Sequence, residues 1–236
     1  FQFIMSKGKG AAGGGNDKKE DAIEKVLVPD FDLEGYISMY SGHTKAKRLL
    51  FIADRAEGLE LEALKLALLD LKQSKNARLY KEVCDRVGDR LGPEFAYDAK
   101  WVTSIDKGNA QKQDRLEQEL NAAKGNLVKE AIRVGHTELG DCFFERGDLN
   151  SALKCYVRTR DYCTTSQHII DMCLNVIKVS IEMNNFAHVM NYVGKAQQTP
   201  GAADPITTNK YNVCAGLANL ESKKYKSAAR SFLNTD

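Results

Sequence analysis

Leu139-Gly140-Asp141-Cys142-Phe143, followed by Gly147-Asp148-Leu149, Ala152 and Tyr156, is the stretch that decides the fold. Its spacing returns in Ala215-Gly216-Leu217-Ala218-Asn219, followed by Lys223-Lys224-Tyr225, Ala228 and Phe232. Gly140 stands nine positions before Leu149, as Gly216 does before Tyr225. In both copies the next two apolar positions follow at steps of three and four, which puts them on one face of a helix. Between the copies, Ile177, Phe186, Val189 and Val193 fit the same frame with the glycine replaced, so the period is 37 to 39 residues. Small Gly and Ala positions let two antiparallel helices approach closely, and large Leu, Tyr and Phe positions fill the space between them.

A period of this length with this pattern is the tetratricopeptide repeat, slightly lengthened. One such hairpin cannot bury its own apolar face, so the units must stack. The expected fold is all-α: a right-handed helical-repeat, tetratricopeptide-like superhelix with a long bracing helix. The third unit leaves Leu217, Leu220, Phe232 and Leu233 in need of a partner. The chain is therefore expected to be a fragment or to be completed by a further domain.

Working outward, residues 136–236 hold the repeats. Residues 93–135 carry Trp101, Ile105, Leu116, Leu120, Ala123, Leu127 and Val134 at roughly helical intervals, which predicts a bracing helix running to about Gly135, with Gly108 and Gly125 as places where it can break. Residues 30–92 read as helical hairpins. Leu33, Ile37 and Tyr40 line a first helix capped by Asp30 or Asp32 and ended by Ser41-Gly42. Ala46, Leu49, Leu50 and Ala53 line a second, and Leu61, Leu64, Leu68 and Leu71 a third. Leu79, Val83, Val87 and Leu91 make a fourth, stopped by Gly92-Pro93. Residues 1–29, Gly- and Lys-rich and without periodicity, are expected to be a flexible tail, with 1–4 a cloning remnant before Met5. Lys7-Gly8-Lys9-Gly10 lacks the spacing and the preceding strand of a phosphate loop.

Composition agrees with a helical protein that has a sizeable core. Of 236 residues, 43% are hydrophobic and only 4 are Pro. The 34 Lys and Arg nearly balance 32 Asp and Glu, leaving a net charge of +2, too little for an electrostatic case for nucleic acid. No apolar run approaches the ~20 residues of a membrane-spanning helix. No apolar region follows the first basic residues as in a secretory leader. The six cysteines show no paired spacing and mostly occupy apolar helix positions, as reduced buried thiols do.

Catalytic motifs are hard to find. Cys163, His168 and Cys173 sit five apart, and five residues turn a helix by about 500°, so they share no face for a metal. Asp141 and Asp148 flank a helix end and read as caps. The expectation is no enzyme, no cofactor and no metal. Two basic clusters are the candidate interaction residues: Lys45, Lys47 and Arg48, then Arg158 and Arg160. Each can meet an acidic partner, although a solvated helix face is the more ordinary account of such charge. Within Arg158-Thr159-Arg160-Asp161-Tyr162-Cys163, a buried Arg–Asp pair is expected to fix the junction between repeats.

Several stretches resemble a known family. Leu33-Glu34-Gly35-Tyr36-Ile37-Ser38-Met39-Tyr40-Ser41-Gly42, with Arg48-Leu49-Leu50-Phe51-Ile52-Ala53-Asp54, is similar to the amino-terminal region of COP-nine signalosome subunit one proteins. So are Ala152-Leu153-Lys154-Cys155-Tyr156 to Arg160-Asp161-Tyr162-Cys163-Thr164, the run from His168 to Ser180, and Lys223-Lys224-Tyr225-Lys226-Ser227-Ala228-Ala229. The resemblance implies a non-catalytic scaffold in a complex that removes Nedd8 from cullin–RING ubiquitin ligases, with the metallopeptidase centre in another subunit. It also implies a carboxy-terminal PCI assembly domain, expected to be missing from this chain. The implied partners are other signalosome subunits and cullin–RING ligases, with no membrane and no nucleic acid, in nucleus and cytoplasm. The equivalent proteasome lid subunit is similar in architecture. A free tetratricopeptide adaptor holding a peptide carboxylate remains a further reading, with Asn175, Asn212 and Arg133 as its candidate clamp.

Overall fold

The computed structural model describes residues 26–27, 30–201 and 204–235. The expected tail over residues 1–25, with its cloning remnant, lies outside the described residues. Val26–Leu27, placed by expectation in that tail, instead form a strand, β1, that pairs in parallel with β2, Ala56–Glu57, in the register Val26 to Ala56 and Leu27 to Glu57. The remaining regular structure is helical, with eleven α-helices among the described residues, in accord with the all-α repeat expectation. The chain divides between Lys100 and Trp101 into two compact units.

The first unit holds α1 (Leu33–Ser38), α2 (Gly42–Arg55), α3 (Glu60–Leu71) and α4 (Ala77–Val87). Asp32 caps α1 by accepting the Gly35 N–H at 2.9 Å. Asn76 caps α4 by accepting the Leu79 N–H. These caps satisfy amide groups that the helix itself leaves unpaired. Most of the periodic positions point inward: Ala46, Leu49 and Ala53 from α2, Leu64, Leu68 and Leu71 from α3, and Val83 and Val87 from α4 are buried, whereas Leu50, Leu79 and Leu91 are half-buried and Tyr80 rather than Leu79 enters the core. Each fully buried large side chain is worth about 1.5–3 kcal/mol. Leu61, expected on the inner face of α3, is exposed; Ala63 and Ala67 take the space. The fourth helix stops at Gly88, whose φ of +56° suits a residue without Cβ, earlier than the expected stop at Gly92-Pro93. Ser41-Gly42 opens α2 instead of closing α1, which ends at Ser38. Burial, with a hydrogen bond to Cys84, pushes the Tyr80 phenol up to about 12.

The second unit contains nearly all of α5 (Ala99–Gly125), then α6 (Lys129–Glu145), α7 (Leu149–Arg158), α8 (Ser166–Glu182), α9 (Phe186–Gln197), α10 (Pro205–Glu221) and α11 (Tyr225–Leu233). The long helix is 27 residues, about 40 Å at 1.5 Å per residue. It ends at Gly125, so the expected helix through Gly135 is two helices. They pack closely: a Cβ on Gly135 of α6 would lie 3.1 Å from Leu120 Cδ1 of α5.

The repeat frame is visible in atoms. A Cβ on Gly140 would meet the Tyr156 ring at 2.7 Å, and one on Gly216 would collide with the Phe232 ring. The large residue of each second helix thus lies on the glycine of the first. The turns repeat as well. Gly147, Asn184 and Lys223 have φ of +82°, +56° and +58°. The N–H that follows each donates to a carbonyl five residues back: Asp148 to Phe143, Asn185 to Ser180, Lys224 to Asn219, the Schellman arrangement that ends a helix. Leu127, φ +54°, with Val128 donating to Ala123, closes α5 in the same way.

Candidate interaction surface

The chemistry-bearing side chains are mostly engaged in packing. Asp148 caps α7 by accepting the Ser151 N–H at 3.1 Å. Burial pushes its carboxyl up, but the Ser151 hydrogen bonds and nearby Arg146 outweigh this and hold it below the ordinary value. Asp141, also expected to cap, lies inside α6. It accepts the Tyr156 hydroxyl and stands 3.8 Å from Lys178 Nζ, which lies over the Phe144 ring at 4.4 Å. The Ser180 hydroxyl, fully buried, donates to the Val176 carbonyl and lies 2.8 Å from His188 Nδ1, tying α8 to α9. Cys163 donates to the Thr159 carbonyl, Cys173 is buried, and His168 lies near Thr164 and Glu130. Among the described residues no three His, Cys, Asp or Glu gather as a metal site, and no helix is long and apolar enough to cross a membrane.

Two polar atoms stand out by lacking partners. His136 Nδ1 and the Tyr211 hydroxyl are buried with no hydrogen bond. Burial, then the charges of Lys124 and Arg158, push the His136 imidazole down, and its ring stacks on Tyr162 at 6.0 Å. Burial, then Cys173 and Asp171, push the Tyr211 phenol up to about 12.

Within each basic cluster the side chains take separate surroundings. On α2, Lys45 turns to α3 and pairs with Asp70 at 2.9 Å. Lys47 is half-buried on the same helix. Arg48 turns to the chain around α1. Its Nη1 donates to the Tyr36 hydroxyl at 3.1 Å and its guanidinium lies 5.0 Å from the centre of the Tyr40 ring. Tyr36 stacks obliquely between Phe31 and Tyr40, each 5.3 Å away. Burial, then the Tyr40 hydrogen bond, push the Tyr36 phenol up despite Arg48. In the second unit, Arg158 is exposed on the last turn of α7. Arg160 pairs with its neighbour Asp161 at 3.2 Å, both more than half exposed. The expected buried junction pair is therefore a surface contact. Thr159, buried and donating to the Tyr156 carbonyl, occupies that interior position instead. Arg48 has no expected partner along the sequence: Tyr36 lies in α1 and Tyr40 in the turn beyond its end, and only the folded chain brings both to Arg48.

Comparison with known proteins completes the description. The family model described as 26S proteasome subunit RPN7 matches residues 98–236, which covers α5 to α11. COP9 signalosome complex subunit 1 of Arabidopsis thaliana is 46% identical over 87% of this chain and 47% of its own length. Subunit 1b of Drosophila melanogaster is 37% identical over 94% of this chain and 53% of its own. Subunit 1 of Emericella nidulans is 37% identical over 89% and 43%. The chain spans about half the length of the curated relatives it matches. The RPN7 match takes in more than half of the chain, so this protein belongs to the RPN7 family, and the curated relatives it resembles are COP9 signalosome subunit 1 proteins.

Proposed function

We propose that this chain is the helical-repeat part of a non-catalytic signalosome scaffold subunit, serving a complex that removes Nedd8 from cullin–RING ligases. The observation that carries this reading is the 46% identity over 87% of the chain to a COP9 signalosome subunit 1. The non-catalytic part draws support from the side chains themselves. Asp148 is spent on a cap, Asp141 on Tyr156, and Ser180 with His188 on a buried helix contact. The partners are other signalosome subunits, with ligases as transient ones. The test is affinity capture of this protein from its own lysate, at whatever length it is expressed, read by mass spectrometry. Signalosome subunits are the expected catch. Proteasome lid subunits would move the assignment to the complex named by the RPN7 model. Cleavage of Nedd8-modified cullin by this chain alone would overturn the scaffold reading.

A further inference from the structure

We infer that Arg48 is a docking point for a carboxylate on an acidic segment of a protein partner. Arg48 is half-buried, yet it pairs with no carboxylate among the described residues; its protein contacts are a neutral phenol and an aromatic face. A guanidinium has five N–H donors, and here only Nη1 is used, by the Tyr36 hydroxyl. The Nε and Nη2 edge keeps the fork that grips a carboxylate with two parallel hydrogen bonds. Tyr40 beneath the guanidinium and Tyr36 at its tip hold that fork in place. A partner therefore meets a side chain already ordered, which lowers the entropic cost of binding.

The surroundings select the occupant. Of the neighbouring cations, Lys45 is matched by Asp70 and, across α2 and α4, Arg86 by Asp54, while Arg55, two turns further along α2, lies over the Phe51 ring. A guanidinium fork set among aromatic rings suits a single carboxylate rather than the repeated phosphates of a nucleic acid, which need a stripe of several cations that a chain of net charge +2 is poorly placed to supply. Met39, 72% exposed, stands one residue before Tyr40 and offers an adaptable apolar contact. The partner segment then carries Asp or Glu next to an apolar side chain.

The probe is the blocked peptide acetyl-Leu-Glu-Leu-amide, titrated into the 236-residue chain while Arg side-chain Nε–H and Met methyl signals are followed by NMR. The Arg48 and Met39 signals are expected to move saturably, with binding roughly tenfold weaker for the Gln counterpart of the peptide. Arg48→Lys keeps the charge over Tyr40 but loses the fork, and is expected to lose the Glu-over-Gln preference. Should that variant fail to fold, the Glu-over-Gln preference of the unaltered chain still decides. Equal binding of the two peptides, no response at all, or a stronger response to inorganic phosphate than to the Glu peptide each overturns the assignment.

Discussion

Gly140 and Tyr156 show how one position without a side chain sets a whole hairpin. The ring lies where a Cβ would be, so Gly140→Ala forces overpacking, which costs about 1–3 kcal/mol. In a Tyr156→Ala background the same change is expected to cost markedly less, and a double-mutant cycle of denaturant unfolding measures the coupling. This contact was legible in the sequence, because glycine followed by an aromatic sixteen residues later occurs twice with matching intermediate spacing. The burial of His136 is marked by spacing alone, since Ile132, Leu139, Gly140 and Phe143 share its helix face, while its partners in space, Tyr162 among them, are not visible along the chain. Its imidazole is pushed below the ordinary 6.5 by burial and by Lys124 and Arg158. With the folded value below the unfolded one, its contribution is present above pH 6.5 and is lost as pH falls through the folded value. His136→Phe keeps a ring for Tyr162 and removes an unpartnered nitrogen. The variant is expected to lose less stability than the parent between neutral pH and pH 5, as followed by thermal melts across pH.

Helices end where the backbone can turn left-handed, and that rule explains both the success and the failure at the level of elements. Gly147 and the Asn184-Asn185 pair announce their turns with residues that tolerate positive φ. Leu127 gives no such signal, but Gly125, one of the two places where the sequence lets the long helix break, is where α5 ends; a helix continuous to Gly135 is the part of the expectation that fails. The structure puts Leu127 at φ +54° and 82% exposed, a costly conformation for a branched side chain in water. Leu127→Gly is expected to stabilise the protein by about 0.5–1 kcal/mol, raising the denaturant midpoint without changing the slope. The Arg160–Asp161 pair failed for another reason: adjacent residues in a 3-10 turn (Thr159–Tyr162) do not both face inward, and the buried partner is Thr159. Tyr36 enters the sequence expectations only through a resemblance and Tyr40 beyond that only as a periodic position of the first helix, so their hold on Arg48 emerges only from the folded chain.

Each hairpin of the second unit touches its neighbours in sequence, and arrays of this kind gain stability from nearest-neighbour interfaces. A local fault should then stay local. Gly216→Ala, which drives a Cβ into Phe232, is expected to speed amide hydrogen exchange in α10 and α11 while leaving α3 and α4 protected as before; equal acceleration throughout would contradict this. The repeat order was readable in the sequence because it is periodic. The division of the chain at Lys100 and Trp101 was not, because it rests on contacts between residues far apart in the chain. All six cysteines are free thiols, Cys84 in the first unit and Cys142, Cys155, Cys163, Cys173 and Cys214 along the second. Burial pushes those at 84, 155, 163, 173 and 214 up, and only the thiolate reacts with an alkylating agent. The array thus carries its own row of chemical clocks: iodoacetamide should mark the half-buried Cys163 and Cys214 first, and the order in which the others follow reads out, hairpin by hairpin, how often each part of the molecule opens.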